Sequence, residues 1–258
     1  MASVLSPHAT VFTPPIAPPQ RPTGLNPTAT PFKPPHIIVP SLADADGVAS
    51  EEARWLQCRI RQAHPLPPPV VVRGLLGESQ MAEVKQYAEQ MPFGGLGSVY
   101  YGNGHEANFL HHGFSMPPDN VWRTFQQAHP DTWSALLTKV RRHADEAGVC
   151  PLREELSVRC IEYHTYEAGG GLTDLGHTDQ GSVFTFSVQI SEPGDAAQGG
   201  RFSTTDGNGI TEHELQRGDG IIFCSDLVHN VSTLQSGTRH SLVAELWRGA
   251  TNTRDRFG

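Results

Sequence analysis

The chain has 258 residues, 19 of them Lys or Arg and 27 Asp or Glu, for a formal net charge of −8. That length suffices for one large domain with a sizeable core. The acidic balance gives no electrostatic reason to expect nucleic acid or an anionic membrane as partner, and no apolar run approaches the roughly 20 residues that span a bilayer. The four cysteines, Cys58, Cys150, Cys160 and Cys224, are scattered without a CxxC pair. This fits free thiols in a reducing compartment rather than a zinc ribbon or a disulfide framework.

Eleven of the 21 prolines fall in the first 40 residues, and no Asp or Glu occurs before Ala43. Such a segment favours polyproline II over any sheet ladder, so residues 1–45 are expected to be disordered. No compact apolar core of a secretory signal is present. An acid-poor start containing Ser and Thr is compatible with organelle targeting, but the prolines oppose an amphipathic targeting helix, and a cytoplasmic, intracellular location is favoured. Residues 46–258 are expected to form one folded domain. It opens with a short helix that Ser50 could cap.

After the proline cluster HPLPPP, Val70-Val71-Val72 reads as an opening strand, and Ser79 as the cap of a helix carrying Met81, Val84, Tyr87 and Met91 at helical spacing. The stretch SVYYGNGHEANFLHHGFSMPPDN shows no clear periodicity and reads as a long loop, either functional or a plain connector. Tyr100, Tyr101 and Asn103 are its candidate substrate contacts. Trp122 and Phe125 have helical spacing and read as core. Another helix is expected over residues 131–147, with Trp133, Leu136, Leu137 and Val140 on one side.

From Leu156 the character changes. SVRCIEYHTY, SVFTFSVQIS, GGRFST, GDGIIFCS and HSLVAELW are short β-branched or aromatic runs, separated by Gly, Asp, Asn and Ser turns. Helices first and strands later indicate an α+β domain. Its strands, at about 156–250, would form a sandwich or barrel with the N-terminal helices supporting one face.

Within this half, His177-x-Asp179 lies between Gly176 and Gly181, and His229 follows the run IIFCSD. Two imidazoles and a carboxylate on a rigid scaffold form a facial triad that suits Fe(II) and leaves coordination positions open. Arg239 and Ser241 share strand parity, so a guanidinium fork and a hydroxyl face one side together, suited to the far carboxylate of a small diacid. The bland reading is kept for His8, His36, His64, His129, His143 and His213, and for the adjacent pair His111-His112. His240 has the opposite parity to Arg239. His105 and His164 could each line a pocket. Trp247 and Phe223 are read as core.

This arrangement resembles the Fe(II)/2-oxoglutarate-dependent dioxygenases, especially their prolyl-4-hydroxylase-like branch. The likeness rests on Tyr163 to Tyr166 before a glycine-rich loop, HTD, GGRFS, GDGIIF, His229 and the ending GTRHSLVAELW. It implies a double-stranded β-helix, the jelly-roll or cupin-like core. It also implies His177, Asp179 and His229 as iron ligands, and Arg239, Ser241 and Tyr166 as contacts of 2-oxoglutarate, with Tyr163 the alternative tyrosine. Fe(II), 2-oxoglutarate and O2 are the implied cofactor and cosubstrates, with ascorbate as reductant. The implied reaction hydroxylates a C–H bond of a small-molecule or peptide substrate and releases succinate and CO2. Nucleic-acid demethylases of this kind carry a second Arg soon after the anchoring one. Here the next is Arg248, which disfavours that branch. Asp179 favours hydroxylation over halogenation. The alternative reading is a catalytically silent cupin-like metal-binding or sensor module.

Overall fold

The computed structural model describes residues 66–92, 97–174, 176–192, 199–207 and 209–253. The proline-rich segment 1–45 and the helix expected after Ser50 lie outside these residues.

The chain opens with β1 (Val70–Val72) and α1 (Glu78–Gln90). The helix starts two residues earlier than Ser79 capping requires. Gly77 is the N-cap, and its N–H donates to the Gln80 side chain at 3.1 Å, so Ser79 lies inside the first turn. Met81, Val84 and Tyr87 are buried on one face as their spacing requires.

The segment read as a long loop is instead mostly strand: β2 (Ser98–Gly102), β3 (His105–Phe109) and β4 (Phe114–Met116). The β2–β3 turn runs through Gly102, Asn103 and Gly104, all at positive φ. These are residue types that reach the left-handed region at low cost. In β3, His105, Ala107 and Phe109 are buried while Glu106 and Asn108 are less so. Histidine at an inward position concealed that alternation from a hydrophobicity reading. Trp122 is a second correction. It belongs to β5 (Val121–Arg123), pairs across from Ser115 and is 55% exposed. Phe125 is buried as expected, at the start of α2 (Phe125–Ala128). Next comes α3 (Pro130–Glu146), with Pro130 in its first turn, where a missing N–H costs nothing.

The remaining strands are β6 (Ser157–Tyr166), β7 (Phe184–Gln189), β8 (Phe202–Asp206), β9 (Gly209–His213), β10 (Gly220–Cys224), β11 (Val228–Val231) and β12 (Arg239–Trp247). A seven-stranded antiparallel sheet has the order β1-β10-β7-β12-β6-β3-β2, and a three-stranded sheet the order β11-β8-β9. The segment before His177 runs beside β11, with Leu172 and Val231 exchanging backbone hydrogen bonds. This is the double-stranded β-helix expected of the sequence.

Two apolar clusters hold it together. On the outer face of the large sheet, Ile161, Tyr163, Phe184, Phe186, Val188, Ile222, Leu242, Ala244 and Leu246 pack against residues of α1 and α3. Between the sheets, Tyr166, Ile221 and Phe223 meet Phe202, Val231, Leu227 and Leu234. The inner face of the large sheet is otherwise polar and still buried: Thr185, Ser187 and Gln189 on β7, Glu162 and His164 on β6, Arg239, Ser241 and Glu245 on β12. Burying so many polar groups is unfavourable unless they are paired or serve a site. Among the described residues, no helix is long and apolar enough to cross a membrane, and Cys150, Cys160 and Cys224 are free thiols.

Candidate metal and cosubstrate site

His177, Asp179 and His229 come together, each offering one ligand atom within 4.8 Å of the others. The backbone fixes this convergence. The His229 N–H donates to the His177 carbonyl at 3.1 Å, and the Asp179 N–H donates to the Ser225 carbonyl at 2.9 Å. The loop that carries His177 and Asp179 is thereby tied to β11 on one side and to the end of β10 on the other.

The candidate ligand side chains are also oriented. His229 Nδ1 lies 3.0 Å from the Leu227 carbonyl. A carbonyl only accepts, so the proton sits on Nδ1 and the Nε2 lone pair is left for a metal. The ring is flanked by Phe223, with centroids 4.6 Å apart, and Phe202 at 5.7 Å. Phe223 is core, as its sequence context indicates, and packs against His229 as well. Asp179 is 4% exposed, and its Oδ2 accepts from Thr185 Oγ1 at 2.7 Å, leaving Oδ1 toward His177 Nε2 at 3.2 Å. Thr185 Oγ1 in turn lies 2.9 Å from Ser225 Oγ.

A second unit holds the loop from outside. Arg159 Nη1 donates to the Gln180 carbonyl at 2.5 Å, to Ser182 Oγ at 3.1 Å and to Glu245 Oε2 at 3.1 Å. Ser182 Oγ closes the unit on Glu245 Oε2 at 2.7 Å. Thr185, Ser225, Arg159 and Glu245 were missed in the sequence. The available signal was the alternation FTFSVQ, whose polar members face inward instead of toward water.

Arg239 lies on the inner face, 2% exposed, and its Nη1 donates to Ser241 Oγ at 3.1 Å. Burial pushes the guanidinium below its ordinary pKa. No carboxylate lies within ion-pair distance of it among the described residues, and its Nε has no hydrogen-bond partner there. A buried unpaired cation is costly, and an anionic ligand would relieve that cost. Tyr166 sits directly opposite Arg239 across β6 and β12, with the guanidinium 5.3 Å over its ring. Tyr163 faces the helices and stacks on His240, centroids 5.3 Å apart. Of the two tyrosines, Tyr166 is the one beside Arg239. His240 is accordingly on the outer side. His111 is buried and accepts the Ile161 N–H on Nδ1 at 3.0 Å, a structural tie between β6 and the loop after β3. His105 and His164 both face inward. Tyr100 and Tyr101 are exposed at the edge strand β2.

No family model matches the chain, and no curated protein matches it in sequence. Similar folds are found among solved structures. An oxidoreductase of the 2OG-Fe(II) oxygenase family from Burkholderia pseudomallei aligns with TM-score 0.51 and 15% identity, over 78% of this chain and 93% of that one. This chain has the 2OG-Fe(II) oxygenase fold. A prolyl hydroxylase from Trichoplax adhaerens, in complex with a hypoxia inducible factor peptide fragment, aligns at TM-score 0.50 and 13% identity, over 75% and 89% of the two chains. The non-heme alpha ketoglutarate dependent epimerase SnoN from nogalamycin biosynthesis aligns at TM-score 0.50 and 17% identity, over 78% and 85%. These proteins share the oxygenase fold with this chain but differ in reaction, so the fold does not name a substrate.

Proposed function

We propose that the chain is an Fe(II)- and 2-oxoglutarate-dependent oxygenase that hydroxylates a C–H bond of a small-molecule or peptide substrate. The observation that carries this reading is the pairing of a His/Asp/His cluster with a buried guanidinium that has no anionic partner among the described residues, on one oxygenase-fold scaffold. The donor set fits the metal: nitrogen and oxygen ligands with no thiolate, and too few protein donors to fill an octahedron. The anchor fits the cosubstrate: Arg239 and Ser241 offer adjacent donors to a carboxylate.

His177, Asp179 and His229 would hold Fe(II), which when bound supplies O2 activation coupled to conversion of 2-oxoglutarate to succinate and CO2. The chain's own residues perform the positioning. Thr185 keeps Asp179 aimed, and the Leu227 carbonyl keeps His229 in the tautomer that presents Nε2. Arg239 and Ser241 fix the far end of the diacid, so that its other end is delivered to the ligand cluster rather than sampling orientations. Phe202 and Phe223 cover the His229 ring and exclude water from it.

The prolyl hydroxylase relative was solved with a peptide fragment, and a peptide is therefore one of the two substrate classes to screen. The test is turnover of 2-oxoglutarate by the Fe(II)-loaded chain across peptide and metabolite panels, read as succinate. Succinate formation that needs both O2 and a particular substrate supports the proposal. Metal binding without any affinity for 2-oxoglutarate would instead favour the silent metal-binding module.

A further inference from the structure

An aromatic column crosses four neighbouring strands and ends on the candidate anchor. His105 on β3, Tyr166 on β6 and Arg239 on β12 lie directly opposite one another. Tyr166 is on the middle strand, so the His105 ring backs it on one side and the Arg239 guanidinium lies on the other. The His105 and Tyr166 centroids are 4.2 Å apart with planes at 19°, and the guanidinium carbon is 5.3 Å from the Tyr166 centroid. Tyr101 of β2 stacks on His105 in turn, with centroids 4.6 Å apart. Tyr101 is 45% exposed, His105 5% and Arg239 2%, so the column runs from the sheet edge to the buried anchor.

Local structure fixes the column at both ends. In β2, Tyr100 pairs with Glu106 and Gly102 with His105, which makes Tyr101 the extra residue of a β-bulge. A bulge re-aims the side chain it carries, and here it lays Tyr101 over His105. The hairpin tip is tied to the residue after Tyr166, because the Glu167 N–H donates to the Gly104 carbonyl at 2.8 Å. His105 Nε2 lies 2.8 Å from His164 Nδ1, a hydrogen bond that holds the imidazole in the column whichever ring carries the proton. At the inner end the arginine has no slack. Its Nη1 donates to Ser241 Oγ at 3.1 Å, and a Cβ added at Gly200 would lie 3.2 Å from its Cδ and 3.1 Å from a Leu234 methyl. Groups packed this closely shift only when a neighbour is removed.

Arg239 opens β12, while Glu245, which pairs with Thr185 beside Asp179, lies near the other end of that strand. A diacid held by Arg239 and delivered to the His/Asp/His cluster must therefore match a fixed span. We propose that His105 is a positioning residue that sets this span. By backing Tyr166, with Tyr101 behind it, it keeps the guanidinium at one depth and restricts the cosubstrate to one length of 2-oxo diacid. The inference rests on the 2-oxoglutarate reading of the site and goes beyond it. Removing the imidazole leaves Tyr166 unbacked. The ring and the guanidinium on it can then shift toward β3, which opens room beside the anchor for a diacid one methylene longer.

The test is anaerobic equilibrium binding of 2-oxoglutarate, and of 2-oxoadipate with its one additional methylene, to the Fe(II)-loaded chain. Thermal unfolding is the control for folding. One methylene in a fitted site is worth roughly 10–200-fold, so the parent should favour 2-oxoglutarate by about tenfold or more. His105→Ala should bring the two affinities within about threefold of each other, since a site that yields no longer turns the longer chain away. Tyr101→Ala should narrow the ratio by a smaller factor, and Tyr101→Phe, which keeps the ring, should match the parent. A merely structural column would weaken both diacids alike and leave the ratio unchanged. An unchanged ratio in either folded alanine variant, or a parent that binds the two diacids equally, would overturn the inference alone. No binding of either diacid by the folded, Fe(II)-loaded parent would overturn the reading of the site, and the inference with it. Tyr101 is exposed at the sheet edge, so its variants keep the inference testable if His105→Ala does not fold.

Discussion

Thr185→Val is the most informative single substitution for the metal site. Valine has nearly the shape of threonine, and the site is fully buried, so the change removes one hydroxyl and little else. That hydroxyl donates to Asp179 Oδ2 at 2.7 Å and is braced by Ser225 Oγ at 2.9 Å. A hydrogen bond to a charged group contributes roughly 1.5–3 kcal/mol, and loss of a group that orients a metal ligand typically weakens metal affinity about 10–100-fold. Buried Asp179 would lose the hydroxyl that fixes its orientation toward the two imidazoles. The measurement is competition of the metal-free chain against a chromophoric chelator for Fe(II), under argon, with thermal unfolding as a control. Ser225→Ala should weaken binding less, because Thr185 keeps its own contact with Asp179. A Thr185→Val chain that binds Fe(II) as tightly as the parent would refute the claim that Thr185 positions Asp179.

Other outcomes follow from the same geometry. Arg159→Met should raise the concentration of Fe(II) needed for half-maximal turnover, because it frees the Gln180 and Ser182 end of the ligand loop; 2-oxoglutarate affinity at saturating metal should change little. Gly113→Ala should lower stability by roughly 2–5 kcal/mol, seen in thermal unfolding, because left-handed strain and overpacking add. Gly113 has φ 76°, and a Cβ there would collide with the Arg123 carbonyl. Asp219 offers a pH test. Burial opposes its ionisation, but the Gly74 N–H, the Arg73 guanidinium and the Gln216 N–H outweigh that and hold its pKa below the usual value. A depressed carboxylate pKa contributes stability above the unfolded value, and loses it as pH falls through the lower folded value. Asp219→Ala should therefore cost about 1–3 kcal/mol at neutral pH and make the acid limb of the stability profile less steep.

The candidate site was legible in the sequence to the extent that chemistry was written as residue type and spacing. His177-x-Asp179, His229 and Arg239-x-Ser241 each carry a reactive or charged group at a strand-compatible interval, and the fold brings them to one interior. The limits are equally physical. His105 and His164 were left undecided because strand parity gives the face of a histidine but not its partner; the partner became visible only when β3 paired with β6. The segment from Ser98 to Met116 read as a loop because its inward positions hold His105 and Ala107 rather than large aliphatics, which blurs a period-two pattern. Its Gly102-Asn103-Gly104 turn was a readable signal for a hairpin. Trp122 read as core by a helical spacing with Phe125, but a strand ends between them, and its indole instead donates to the His112 carbonyl at the surface. Thr185 and Ser225 carry no signature in one sequence, since a buried hydroxyl beside a carboxylate looks like any strand polar residue.

The central claim is that one interior holds both Fe(II) and 2-oxoglutarate on these residues. The most direct measurement is anaerobic equilibrium binding of 2-oxoglutarate to the folded chain with and without Fe(II), repeated with His229→Ala and Arg239→Met. The account predicts binding that requires Fe(II) in the parent, that is lost in His229→Ala for want of metal, and that is weakened in Arg239→Met while Fe(II) remains bound. A folded, Fe(II)-loaded parent with no affinity for 2-oxoglutarate, or an Arg239→Met chain that binds it as well as the parent, would contradict the account.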